Sequence, residues 1–131
     1  MSRLVVCYIR RLNDYEIDAL QKRTGTRYKW VTEGESSWDG IKVPPNFLSD
    51  GSSGGPDASD AWLIHDWLYK THVIGDKPCT RREADDIMIE ILKYQRFTWY
   101  ARVAKLLLRC NPFWVASRAW KRSGDKGPDF I

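Results

Sequence analysis

Hydrophobic and polar positions alternate in two different rhythms along this chain. Up to Asp50 the apolar residues come in short runs, rich in β-branched and aromatic side chains and bounded by turn residues, which is the signature of strands. Leu4-Val5-Val6-Cys7-Tyr8-Ile9 predicts a first strand within residues 2–10. Residues 12–20 leave two options open: a short helix capped at Asn13-Asp14 and running to Gln21, which we favour, or an alternating strand over Tyr15-Glu16-Ile17-Asp18. Thr24-Gly25 marks a turn, and Arg27 to Thr32 alternates at period two as a half-buried strand does. Glu33 to Ser37 reads as a loop. Trp38 to Val43 reads as a strand with Ile41 and Val43 on one face, ended by Pro44-Pro45 because proline cannot donate to a ladder.

Beyond a glycine- and serine-rich stretch, Ser49 to Pro56, the spacing turns helical. A helix is expected from about Asp57 to about His72, with Asp57 or Ser59 as N-cap. Ala61, Trp62, Leu63, Ile64, Trp67, Leu68 and Tyr69 occupy the whole helical wheel, so this helix should be buried on most faces. Val73 to Pro78 is read as a loop. Thr80-Arg81-Arg82-Glu83 then fits a capping box and opens a helix to about Gln95. A further helix is expected over Phe97–Arg109, a break at Asn111-Pro112, a short helix over Phe113–Arg122, and a tail over Ser123–Ile131. The expected fold class is α+β: a small N-terminal antiparallel sheet, an antiparallel helix pair, and further C-terminal helices. The whole is read as one domain, with a β-rich part (1–50), a helical part (57–122) and the tail.

Two polar residues, His65 and Asp66, interrupt the most apolar helix. A buried ionisable group costs several kcal/mol unless it is paired. On the following helix, Asp86 shares a face with Arg82, Glu90 and Lys93, a solvated stripe at i and i+4 spacing. Asp85 shares its face with Met88, Ile89 and Leu92 and needs a partner there. A short connection favours antiparallel helices, so His65 and Asp85 are natural partners. An imidazole held by a buried carboxylate is a general base. Asp66 points about 100° round the helix from His65 and can face the glycine-serine loop, where carbonyls plus a carboxylate suit calcium. The plainer alternatives are a core histidine bonded to a backbone carbonyl and a loop that only connects.

Composition narrows this picture. The chain has 131 residues, enough for one core that buries roughly two thirds of the unfolded surface without staples. Cys7, Cys79 and Cys110 lack any C-x-x-C spacing, which argues against a zinc finger or a disulfide framework and for free thiols in a reducing compartment. No apolar run approaches the roughly 20 residues of a membrane span, and no signal-peptide pattern is visible, so a cytoplasmic product is expected. The charge distribution says more than the net +4. From Ile91 to Gly124 there is no Asp or Glu, while Lys93, Arg96, Arg102, Lys105, Arg109, Arg118, Lys121 and Arg122 all fall there, interleaved with aromatics that include Trp99, Trp114 and Trp120. Such a block suits lipid headgroups, nucleic acid or an acidic protein. Equally, it is what a solvated basic face looks like.

Gly54-Gly55-Pro56-Asp57, His65-Asp66-Trp67-Leu68-Tyr69 and Ala84-Asp85 together resemble secreted and parvoviral phospholipases A2. The spacing of Val43-Pro44, Phe47, Asp50-Gly51, Ser53, the His65-Asp66 helix and Arg82-Glu83-Ala84-Asp85 is similar to a family of small, mostly phage-encoded domains of unknown function, over about Ile41 to Leu92. The phospholipase resemblance implies that His65 activates water, that Asp85 orients it, and that Tyr69 holds the pair by a hydrogen bond to Asp85. It also implies calcium bound by Asp66, with Asp50 and the backbone of Gly51, Gly54 and Gly55 completing the site. The phage resemblance implies a viral protein made in a bacterial host cytoplasm, with virion association left open.

Three function classes follow. One is a calcium-dependent, phospholipase A2-like esterase whose Trp- and Arg-rich C-terminal helices meet a phospholipid surface. A second is a phage structural or accessory protein, partnered by other phage proteins, in which His65–Asp85 is only a buried hydrogen bond. The third, less favoured, is a binder of nucleic acid or host protein through the basic block.

Overall fold

Strand pairing in the N-terminal part starts from residues that fill a core on one side of a very short ladder. In the computed structural model, which describes residues 8–50, 61–94, 98–110 and 114–131, the chain is α+β and divides into two compact units. The first comprises residues 1–58 and 128–131, the second residues 59–127.

In the first unit β1 (Ile9–Arg11) pairs antiparallel with β2 (Trp30–Thr32), and β2 pairs antiparallel with a later strand, β5 (Leu48–Ser49). Between β1 and β2 lies α1 (Asp14–Thr24), so the helical option for residues 12–20 is the one adopted. Asn13 caps it: its side chain accepts from the Glu16 amide at 2.8 Å, and the Glu16 carboxylate accepts from the Asn13 amide at 3.1 Å. Gly25, at φ 80°, closes the helix in the left-handed region that glycine enters without penalty. Ile17 and Leu20 lie one turn apart and pack with Leu12, Tyr28, Val31 and Leu48.

The segment read as one strand over Trp38–Val43 is instead a hairpin. β3 (Ser36–Trp38) and β4 (Ile41–Val43) flank a two-residue turn, Asp39-Gly40, both at positive φ (43° and 86°). Asp-Gly is the pair that suits such a turn, because its twist matches that of the strands. Ser36 and Ser37, read as loop, belong to β3. Ile41 and Val43 are buried with Lys42 exposed between them, as the alternation requires.

The C-terminal residues are not a tail. Ser123 to Lys126 continue the last helix, and the final residues join the first unit. There the Leu48 amide donates to the Asp129 carbonyl at 3.0 Å and the Ile131 amide to the Asn46 carbonyl at 2.9 Å. The Phe47 and Phe130 rings meet edge-on, centroids 6.3 Å apart, and the Tyr28 hydroxyl donates to Asp129. These contacts need residues more than 80 positions apart, which no local pattern announces.

The second unit is helical: α2 (Ala61–Thr71), a two-stranded ribbon of β6 (Val73–Ile74) and β7 (Lys77–Pro78), then α3 (Arg81–Tyr94), α4 (Thr98–Cys110) and α5 (Val115–Lys126). The proposed caps Asp57 and Ser59 lie outside the described residues. α2 is covered by α3 and α5, and no residue from Ala61 to Thr71 is fully exposed, in keeping with its apolar wheel. The segment Val73–Pro78 is a tight ribbon, not an open loop: Gly75 takes φ 58° at its turn, and the Cys79 amide donates to the His72 carbonyl at 2.8 Å. α3 starts where the capping box places it, with the Thr80 amide 3.1 Å from Glu83 Oε1 and the Glu83 amide 3.2 Å from Thr80 Oγ1.

Two outcomes follow. Thr80→Ala should lower unfolding free energy by about 1 kcal/mol in a denaturant titration, the usual worth of such a cap. The Arg10 guanidinium, hydrogen-bonded to Glu16 at 2.8 and 2.9 Å, and the Asn13 amide hold the Glu16 carboxyl down to about 2. A depressed carboxyl stabilises the fold above its ordinary value of 4.5 and loses that contribution as pH falls towards about 2. The advantage of wild type over Glu16→Gln, read from unfolding midpoints, should therefore be full at neutral pH, shrink below about 4.5 and vanish near 2.

Candidate functional site

The phase of α3 decides which acidic residue is buried. With Thr80 fixed as the cap, Ala84, Asp85, Met88, Ile89 and Leu92 turn inward, and Asp86 turns out to solvent. Asp85 is thus delivered into the interface with α2. His65 Nε2 lies 2.8 Å from Asp85 Oδ1, and the Tyr69 hydroxyl, one helical turn further on, donates to the same oxygen at 2.7 Å. The other oxygen, Oδ2, accepts from Arg81 Nη1 at 3.0 Å. Three donors around one carboxylate are what a buried charge needs.

The arrangement fixes the histidine tautomer. An ionised carboxylate only accepts, so Nε2 carries the proton and donates, leaving Nδ1 as the basic nitrogen. Among the described residues His65 has no other hydrogen-bond partner. Its side chain is 12 % exposed against 4 % for Asp85, so the base keeps access to solvent while its orienting carboxylate does not. Burial, and next the Asp85 charge, push the Tyr69 phenol far above its ordinary range, which keeps it a neutral donor.

Aromatic rings line this pair. Trp62 meets the His65 ring edge-on at 5.9 Å, His65 and Tyr69 lie 4.3 Å apart, and Trp120 of α5 meets Tyr69 edge-on at 5.1 Å. Trp120 also stacks on His72 at 3.6 Å, and its carbonyl lies 3.0 Å from His72 Nε2. Gly124 sits against the same His72 ring, where a Cβ would collide with it, which accounts for a glycine inside α5.

The residues singled out from the sequence are thus partly brought together. His65, Asp85 and Tyr69 form one cluster. Asp66, half-buried, is the single acid of α2. Asp50 belongs to the first unit, and Gly51, Gly54 and Gly55 lie outside the described residues. Among the described residues no group of three or more His, Cys, Asp or Glu side chains gathers to hold a metal. Calcium takes about six to eight oxygens, of which Asp66 is the candidate side chain among the described residues of this unit.

The basic block also divides. Lys93, Trp99, Arg102, Lys105, Trp114, Arg118, Lys121 and Arg122 are exposed. Arg96 lies outside the described residues. Trp120 is half-buried and packs against Tyr69 and His72. Arg109 is half-buried and pairs with Asp86, the solvated acid of α3. Cys79 is buried, and burial, with Glu83 nearby, pushes its thiol up to about 11. Cys110 is exposed, and Cys7 lies outside the described residues.

Sequence reasoning missed Arg81, whose Nη1 also reaches the Leu108 carbonyl of α4 at 3.3 Å. The signal was present as an i, i+4 pair with Asp85. No helix among the described residues is long and apolar enough to cross a membrane. Neither a scan of protein-family models nor searches of curated proteins and of solved structures returns a match to this chain.

Arg81→Met should cost about 3 kcal/mol in denaturant unfolding, because it strips the guanidinium from a buried carboxylate. Asp86→Asn, which breaks the pair at the surface, should cost under about 1 kcal/mol in the same measurement. Equal costs would mean that Asp85 is not held as described.

Proposed function

We propose that this chain is a hydrolase of the phospholipase A2 kind, in which His65 activates water for attack on an ester of a lipid. The observation that carries this reading is the shared oxygen of Asp85, 2.8 Å from His65 Nε2 and 2.7 Å from the Tyr69 hydroxyl. His65 Nδ1 takes a proton from water as its oxygen adds to the ester carbonyl. Asp85 stabilises the imidazolium that forms, and Tyr69 and Arg81 keep Asp85 in place. As the tetrahedral adduct collapses, the imidazolium returns the proton to the departing alkoxide, so the products are an acid and an alcohol. No covalent enzyme intermediate forms. The aromatic surround of His65 suits an apolar substrate. The resemblance to phospholipases A2 supports this reading, and the resemblance to phage-encoded domains of unknown function is the ground for proposing a phage protein made in a bacterial host.

One observation favours the scaffold reading instead. Arg81 already neutralises Asp85, so His65 and Tyr69 could serve as packing partners of a satisfied ion pair. The two readings part on a single variant. The assay is fatty-acid release from anionic phospholipid vesicles, with calcium and with chelator. His65→Ala and Asp85→Asn should lose about 10²- to 10⁴-fold in turnover while circular dichroism shows folded protein. No release in either condition, or release unaffected by His65→Ala, sinks the hydrolase. Dependence on calcium that Asp66→Asn removes would assign Asp66 as a ligand.

A further inference from the structure

α4 is built inside out. Successive helical residues turn by about 100°, so Trp99, Val103, Leu106 and Leu107 fall on one side and Ala101 and Ala104 on the other. An ordinary surface helix buries the large residues. Here the alanines are buried, at 0 % and 6 % exposure, whereas Trp99, Leu106 and Leu107 are 76 %, 64 % and 56 % exposed. Alanine allows α4 to lie close against α3, and the larger apolar groups are left in water. Arg102, exposed, borders this stripe on one side, exposed Lys105 lies beyond it, and no acidic residue falls between Ile91 and Gly124.

We propose that the outward face of α4 docks on an anionic lipid surface, with Trp99, Leu106 and Leu107 entering the headgroup–acyl boundary and Arg102 and Lys105 meeting lipid phosphates. The charge pattern selects this occupant. A second copy of the same face would bring Arg102 and Lys105 of both copies together, and Asp86, the exposed acid at that edge, is already engaged by Arg109, which disfavours a two-fold contact. A nucleic acid would satisfy Arg102 and Lys105 but offers nothing to exposed leucines. An anionic bilayer satisfies both halves: apolar side chains gain burial, tryptophan suits the interface, and each basic residue near the surface adds attraction. The proposal deepens the hydrolase reading by naming where the lipid would be met. It rests on α4 alone, so it stands or falls without turnover.

The test is flotation of the full chain with vesicles of phosphatidylcholine alone or mixed with phosphatidylglycerol, at low and high salt. Binding should require the anionic lipid and weaken with salt. Leu106→Glu, at an exposed position, should weaken it at least tenfold with the thermal midpoint little changed. Arg102→Glu with Lys105→Glu should do the same, and Tyr15→Ser, which removes an exposed aromatic outside α4, should leave it unaltered. His65→Ala should float like wild type, which separates docking from hydrolysis. Equal binding to both vesicles, or Leu106→Glu floating like wild type, overturns the proposal. So does a concentration-dependent dimer in light scattering that Leu106→Glu dissociates, or tight binding to DNA or RNA without binding to anionic vesicles.

Discussion

Everything around the candidate site depends on one buried charge. Asp85, 3 % exposed, sits in an interface otherwise made of Ala61, Ile64, Leu68, Ala84 and Met88 class residues. A carboxylate taken from water there costs several kcal/mol unless its lone pairs are filled. Three side chains fill them, from three positions along two helices: His65, Tyr69 and Arg81. Each is thereby fixed in rotamer and direction. The histidine tautomer and the neutrality of Tyr69 both follow from satisfying this one group.

That constraint transmits a demand back to the sequence. A shift of one residue in α3 would rotate it by about 100°, turning Asp85 towards solvent and Asp86 inward. Asp86 would then leave Arg109, and Asp85 would leave His65 and Tyr69, its two donors on α2. The reciprocal bonds between Thr80 and Glu83 set where α3 begins and so guard its phase. The ribbon before it does the same at the other end of the connection, since His72, at φ 58°, ends α2 and its carbonyl receives the Cys79 amide.

What could be read from the sequence was what is local. The capping box at Thr80, the apolar wheel of α2 and the inward phase of Asp85 follow from neighbours within four residues, and these yielded the helix pair and the His65–Asp85 contact, whereas the place of Tyr69 came from the phospholipase resemblance. The hairpin at Asp39-Gly40 was equally local and was overlooked, because Trp38 to Val43 alternates well enough to pass for one strand. The joining of Pro128–Ile131 to the first unit was not legible, since its register is set by contacts of Phe47, Tyr28 and Asn46 far back in the chain. Trp120 was misplaced for a similar reason: basic neighbours suggested a surface, but the helix phase directs it to Tyr69 and His72.

α4 connects these two kinds of information. Its periodicity is as clear as that of any helix here, and the usual inference would send Trp99, Leu106 and Leu107 to the core. The face that packs carries Ala101 and Ala104, which are buried, with Leu108 half-buried beside them. The same docking brings the Leu108 carbonyl within 3.3 Å of Arg81 Nη1, the nitrogen that also holds Asp85 Oδ2. A helix whose outer face is apolar and whose inner face touches the guanidinium behind the dyad cannot be repacked without disturbing Asp85. Inverting α4 to bury its leucines would force Arg81 and Asp85 to find new partners in a dry interface. The orientation that leaves the apolar stripe outward is thus the one in which the Leu108 carbonyl and Asp85 share a single guanidinium.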